Sequence, residues 1–279
     1  MYKAKMWTIT GARHAALIGF SLLMAFPFLW MALSALKTNE ELWNFPEVWL
    51  PAIPQWHNFL DAWNSAPFGQ YIFNSAFTAL VIVLVQTLNS AMIAYAFTHL
   101  EFKGKNLLFS LILATYMLPA AATYVPSYIM LADLNMLDSY KGLIFSNAAS
   151  VFGIFLFRQA FLQIHREVIE AAKIDGASHW RILWKILFPL SKPSFATFGL
   201  ISFVSMYNNY LWPSLIIKDE KLLLITAGLR QFFVQEGAYG IKWPLVMAAS
   251  TLAVIPMLLL FIIAQKWFIK GLSDSGVKG

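Results

Sequence analysis

The sequence predicts an all-α polytopic membrane protein: six transmembrane helices with a long polar loop between the fourth and fifth. Three observations carry this expectation. The 279-residue chain is 59% apolar and 12% charged, where soluble domains run at about 25% charged. Six apolar runs reach the length a helix needs to cross hydrocarbon, about 20 residues. One insert, residues 164–190, is too polar for a bilayer and too long for an ordinary connection between bundled helices, about 2–8 residues.

Composition narrows the function classes. Mean hydropathy is +0.63. Phe 24, Trp 11 and Tyr 10 suit aromatic belts at two membrane interfaces. A net charge of +6 would suggest nucleic acid for a soluble chain. Here it reads as membrane orientation, and no nucleic-acid partner is expected. With Cys 0, disulfides, thiol nucleophiles and Cys-ligated metal sites are excluded, and no metal site is expected.

The six runs, in order, are His14–Leu36, Tyr71–Thr98, Leu107–Leu131, Leu143–Gln163, Pro193–Ile217 and Pro244–Phe268. The first exceeds the 7–15 apolar residues of a signal sequence and is read as a retained span. Glu101 to Asn106 and Lys218 to Lys221 are too polar to sit in hydrocarbon and mark two of the turns. Pro119, Pro126, Pro213 and Pro256 interrupt the helical ladder and are expected bends. Residues 1–279 are read as one membrane domain. Of the 20 basic residues, 14 fall on the face formed by the N-terminus, the loop near 99–106, the 164–192 loop and the C-terminal tail. The positive-inside rule makes that face, with both termini, cytoplasmic.

The insert reads as two short helices. His165 to Asp175 alternates small or apolar positions with polar ones. Ala171 and Ala172 are expected to present a flat face to another protein. Gly176 suits the left-handed residue that ends a helix, and a Cβ there is expected to find no room. Ser178 is the expected N-cap of the second helix. Trp180, Leu183, Trp184, Leu187 and Phe188 would form its apolar stripe, with Arg181 and Lys185 as a basic ridge and Pro189 ending it. On physical grounds alone such a hairpin could also simply lie on the bilayer surface.

The run Glu170-Ala171-Ala172, the Gly176 that follows Asp175, and Ile186-Leu187-Phe188-Pro189 resemble the coupling-loop signature of ABC importer permeases. One departure is Phe188, where that family usually has Leu, a change that keeps an apolar contact. Phe26-Pro27-Phe28 through Ser34-Ala35-Leu36-Lys37-Thr38, Tyr207-Asn208-Asn209-Tyr210-Leu211-Trp212-Pro213, Trp243 to Ser250 and the tail from Lys270 look like the carbohydrate-uptake branch, whose best-known relative is the smaller permease subunit of the maltose importer. The resemblance implies a bacterial inner-membrane subunit that moves a sugar or oligosaccharide by alternating access. A glycerol-phosphate ester or a uronate oligomer is also compatible with it. It further implies a second homologous permease, a dimer of ATP-binding subunits and an extracytoplasmic solute-binding protein. ATP and Mg would belong to the ATPase subunits, and this chain would bind no cofactor. Glu170, Ala171, Ala172, Asp175, Gly176 and Pro189 would touch the ATPase, as would Ser273, Asp274, Ser275 and Gly276 of the tail. The last external loop, about 218–243, would reach the binding protein.

Absent motifs agree. The chain has no G-x-x-x-x-G-K-[ST] phosphate loop, no His-Glu-x-x-His and no G-x-S-x-G, so no enzyme activity of its own is expected. The rival reading is a secondary transporter or channel. Ion-coupled carriers need ionisable groups within the bundle, and none of the six runs holds an Asp or Glu. Arg158 lies near a span end, where it can snorkel. A sugar path needs amides, hydroxyls and aromatic faces. Asn209, Asn208, Tyr207, Tyr210, Gln86 and Asn89 are the candidates, with Ser202, Ser205 and Asn209 as one stripe on a continuous fifth helix. For Gln86 and Asn89 hydrogen-bonding between helices is the favoured alternative.

Overall fold

The computed structural model describes residues 2–43, 49–238 and 242–276, by backbone alone at 2–9, 237–238, 264 and 266–276. No strand occurs among them. Helices α1 (Tyr2–Ala35), α4 (Phe68–His99) and α14 (Trp243–Gly276) are each long and apolar enough to cross a membrane by themselves. Three bent pairs bring the spans to six. They are α5 with α6 (Lys105–Thr115, Ala120–Asp133; 100°), α7 with α8 (Tyr140–Ser146, Val151–Leu162; 48°) and α10 with α11 (His179–Leu190, Lys192–Tyr207; 85°).

The bend at Pro119 is one the sequence predicts; the breaks in the fourth and fifth runs fall where no bend is expected. The third span breaks at residues 116–119, where Pro119 takes an extended backbone. Pro126, by contrast, lies inside α6. The fourth span breaks between α7 and α8, and Ser150 restarts the chain as N-cap by accepting the Gly153 N–H. The fifth does not run from Pro193 to Ile217. It ends at Tyr207, and α12 (Leu211–Ile216) begins only after Tyr210. Apolar runs set the length of a crossing but not its straightness, because hydropathy does not register where backbone bonds are surrendered.

Contacts divide the chain into two units, 1–69 with 228–256 and 70–227 with 257–279. In the first, α1 is followed by α2 (Asn39–Trp43) and α3 (His57–Ser65). Thr38 and Glu41 form a capping box: Thr38 Oγ1 accepts the Glu41 N–H and Glu41 Oε2 accepts the Thr38 N–H. Buried Asn58 holds the end of α1 by donating to the carbonyls of Ala35 and Lys37. Phe68 and Phe232 of α13 (Ile225–Phe232) meet edge to face at 5.3 Å.

In the second unit α4 is the organising helix, because its polar side chains satisfy backbone that the breaks and loops leave open. Gln70 and Asn74 donate to the Lys221 carbonyl, Asn74 also to that of Leu223, and Ser75 accepts the Ile225 N–H. Lower on the same helix Gln86, Asn89 and Ser90 donate to the carbonyls of Asn147, Ala148 and Ser150. Those carbonyls belong to the α7/α8 break, and an unpaired one in a membrane is costly. The spacing i, i+3, i+4 puts all three donors on one face. The external segment is tied a second time by Asp138, whose Oδ1 accepts the N–H groups of Asp219 and Lys218 and whose carboxyl those bonds hold below its ordinary pKa.

The apolar core of this unit runs from the spans into the 164–190 insert. Phe157 stacks on Phe195 at 4.1 Å, and Phe161 and Phe198 are fully buried beside them. Gly153 is the close approach: a Cβ there would meet Phe198 Cε2 and Ser90 Oγ at 2.7 Å. Ile169 and Ala172, with Ile182, Leu183 and Leu187, belong to the same cluster.

Candidate functional site

The insert folds as two helices, α9 (Arg166–Ile174) and α10. Its turn is a Schellman motif. Gly176 has φ +75, its N–H donates to the Lys173 carbonyl, and the Ala177 N–H donates to that of Ala172. Nothing lies within 4 Å of a Cβ built on Gly176. The expected crowding is therefore absent, and glycine is required by the backbone angle alone. Ser178 caps α10 by accepting the Arg181 N–H.

Two faces differ from the sequence expectation. Ala172 points into the chain's own core, so the outward face of α9 is Glu167, Val168, Glu170, Ala171 and Ile174, with Ile174 86% exposed. Glu170 is paired with Arg166 at 2.9 Å across one turn, both side chains largely in solvent. In α10 the buried set is Ile182, Leu183 and Leu187, while Trp180 is 59% exposed. The reason is a π-helical turn over Leu183–Leu187. Its i→i+5 bonding places Ile182 and Leu187, five residues apart, on one face. Trp184 and Phe188 pack beside that face, and Asp175 and Pro189 are exposed.

The insert is fastened to the spans by more than apolar contact. Tyr95 of α4 and His179 of α10 are joined through Oη and Nδ1 at 2.6 Å. Ile169, Ala172, Ile182 and Leu187 sit against the ring cluster of α8 and α11. A force applied to the outward face of α9 therefore reaches α4, α8 and α11 through close-packed side chains, which transmit displacement. The proposed tail residues Ser273, Asp274, Ser275 and Gly276 lie in the last turns of α14; their side chains fall outside the described residues.

A cavity of about 240 Å³ lies where the three broken spans meet. Ala120, Thr123, Tyr124 and Ser127 reach it from α6, Ser146 and Asn147 from the α7/α8 break, and Asn209 and Trp212 from the α11/α12 break. Tyr124 stacks on Trp212 at 5.1 Å, and the Trp212 indole N–H donates to Ser146 Oγ. Non-helical backbone at membrane depth is tolerated where it is buried in protein or lines a wet cavity. The α7/α8 break has its carbonyls bonded by α4, and Asn147 and Asn209 line the cavity. No lining residue is charged.

Of the sequence-predicted path residues, Asn209 alone lines this cavity. Asn208 donates to the Val204 carbonyl of its own helix, and Tyr207 is buried with Phe203. Tyr210 lies in the break, where its carbonyl accepts from Ser214. Gln86 accepts from Ser202 at 2.5 Å and donates to the Asn147 carbonyl, and Asn89 donates to that of Ala148. Both amides bridge helices, the alternative the sequence offered for them. The polar stripe dissolves: Ser202 faces α4, Ser205 is exposed and Asn209 is beyond the helix end. The sequence reading missed Thr123, Tyr124, Ser127, Ser146, Asn147 and Trp212. Pro119 and the Asn208-Asn209 pair were the available signals, since each marks a break that opens onto this space.

Known proteins resemble this chain over nearly its whole length. The permease protein UgpE of the sn-glycerol-3-phosphate transport system of Yersinia enterocolitica is 38% identical over 268 residues, 94% of this chain and 95% of its own. That of Escherichia coli O1:K1 is 34% identical over 281 residues, covering 99% of each. Among solved structures, a chain of a bacterial ABC transporter that imports the acidic polysaccharide alginate superposes with a TM-score of 0.82 at 25% identity, covering 93% of this chain and 96% of that one. A second, from the alginate transporter in complex with its pentasaccharide-bound periplasmic protein, gives 0.63 at 17% identity, a likeness of fold. The family model described as the inner membrane component of binding-protein-dependent transport systems matches residues 87–274. That span takes in the insert, the cavity and four of the six spans, and it sets aside the ion-coupled carrier as the alternative. The chain belongs to the binding-protein-dependent inner membrane components, the permease subunits of ABC importers.

Proposed function

We propose that this permease, acting over residues 1–279 as one domain, forms half of a translocation path for a hydroxyl-rich solute and works by alternating access. A second homologous permease forms the other half. A dimer of ATP-binding subunits carries ATP, Mg and the hydrolysis, docking on the outward face of α9 around Glu170 and Ala171 and on the tail residues 273–276. The solute comes from an extracytoplasmic binding protein that meets the 218–243 loop. Both termini face the cytoplasm. The observation that carries this reading is the shared core of insert and spans, in which Ile169, Ala172, Ile182 and Leu187 pack with Phe157, Phe161, Phe195 and Phe198. A loop that only rested on lipid would bury its apolar side chains in the bilayer rather than in the protein.

For the solute, the stacked Tyr124 and Trp212 and the uncharged hydroxyl and amide lining of the cavity favour a sugar or oligosaccharide. The second reading is an sn-glycerol-3-phosphate-type ester, favoured by the identity to the UgpE proteins. The test is reconstitution of the complete complex with its binding protein in vesicles. Solute-loaded binding protein should accelerate ATP hydrolysis, and uptake should persist after the proton gradient is collapsed while internal ATP remains. Uptake that stops with the uncoupler while ATP stays high would sink the mechanism. Competition between maltooligosaccharides and sn-glycerol-3-phosphate at the binding protein decides the solute.

A further inference from the structure

One buried cation plays no part in the coupling loop or the cavity. Lys37 follows α1 and is 1% exposed, with its Nζ 4.4 Å from the Trp30 ring centroid. It makes no ion pair with a described residue. A charge withdrawn from water needs an opposite charge or several polar atoms, and an aromatic face supplies only part of that. Among the described acids, Glu41 feels the Lys37 charge but makes its hydrogen bonds elsewhere. Glu41 accepts the backbone N–H groups of Thr38 and Ala52, and Glu236 pairs with Lys242 at 3.0 Å.

Lys37 borders an open cavity of about 260 Å³, shared with Thr38, Gln55, His57, Asn58 and Lys242. The lining includes no carboxylate. The backbone around Lys37 is fixed by Asn58, and by the Gln55 N–H donating to the Leu36 carbonyl. The Lys37 ammonium, the Thr38 hydroxyl, the Gln55 amide and Lys242, whose ammonium is shared with Glu236, suit an oxyanion with several acceptor oxygens. At about 30 Å³ per water, there is room for a tetrahedral anion and the first atoms of its ester. Trp43, Trp49 and Trp56 of the same unit are each more than half exposed, as side chains at headgroup depth are.

We propose that Lys37 and Lys242, with the hydroxyl and amide donors between them, form a phosphate-binding pocket that takes a phospholipid headgroup or a soluble phosphate ester. Its placement on the outer face rests on the topology proposed above; its chemistry does not.

The test uses the complete complex, purified and held in phosphatidylcholine nanodiscs. The probes are phosphatidylglycerol, sn-glycerol-3-phosphate and inorganic phosphate. Bound lipid is counted by native mass spectrometry and soluble anion by equilibrium dialysis, with no transport step, so a failed uptake assay has no bearing on the result. Lys37→Gln should weaken binding by about tenfold or more, the scale of one charge-assisted hydrogen bond. Lys37→Arg should recover most of it, and Lys141→Gln, outside the pocket, should leave it unchanged. Lys242→Gln, at an exposed position, should weaken binding about threefold and decides the matter if Lys37→Gln does not assemble. Retention of phosphatidylglycerol alone assigns the pocket to lipid, and saturable uptake of either soluble anion assigns it to an ester. A wild-type complex that holds none of the three, or binding that survives both Gln variants, overturns the pocket.

Discussion

Gly176 offers a direct test of how the insert is built. It sits at φ +75 with nothing within 4 Å of where a Cβ would stand, so any penalty on substitution comes from its own backbone and not from a neighbour. An L-residue in the left-handed region costs about 1–2 kcal/mol, with Asn tolerated better than Ala and a β-branched Val worse than either. At 1.4 kcal/mol per tenfold, Gly176→Ala should cut the population of the closed turn by roughly five- to thirtyfold. Asn should cost less than Ala, and Val more. The turn orients α9 through the Ala177 N–H bond to Ala172. Its loss should therefore appear twice: as faster hydrogen exchange at the Ala177 amide, and as weaker stimulation of ATP hydrolysis by solute-loaded binding protein. Crowding would rank the variants by size, with Ala best. If Ala couples better than Asn, or if Val couples like the wild type, the conformational argument is wrong.

Further outcomes follow from the same contacts. Glu170→Lys removes an exposed i,i+4 pair with Arg166, worth at most about 0.5 kcal/mol. Thermal stability should hardly move while ATPase coupling falls sharply; equal losses in both would mean Glu170 serves only the helix. Gln86→Leu strips partners from the Asn147 carbonyl and the Ser202 hydroxyl. It should destabilise the purified protein by about 1–3 kcal/mol, at the lower end because Ser202 can bond back to its own helix; an unchanged melting temperature would contradict the bridge. Gly153→Ala forces a methyl against Phe198 and Ser90 and should cost about 1–3 kcal/mol, partly recovered by adding Phe198→Leu, whereas full stability in the single variant would refute the close approach. A Cys at position 209 in this Cys-free chain should react with a small hydrophilic thiol reagent and change its reactivity between resting and ATP-trapped complexes. A Cys that stays inert in both states, with transport intact, would remove Asn209 from the path.

Membrane class, the number of crossings and the punctuation of the insert are legible in the residues alone. Hydrophobic length, Gly176 and Ser178 act locally: a 20-residue apolar run, a left-handed turn and an N-cap are each decided within a few residues of chain. The family was legible too, because Glu170 to Gly176 and Ile186 to Pro189 are contiguous. The tertiary structure alone decided where side chains point. Gln86 and Asn89 read as bridge more readily than as path, but only the α7/α8 break shows which carbonyls they satisfy. Trp180 and Ile182 exchanged exposure because one π-helical turn rotated the face of α10, and Ala172 turned inward because the α8–α11 ring cluster was there to receive it. The cavity was least legible of all. Tyr124, Ser146, Asn147 and Trp212 come from three interrupted spans, and no local pattern states that three interruptions will meet at one place.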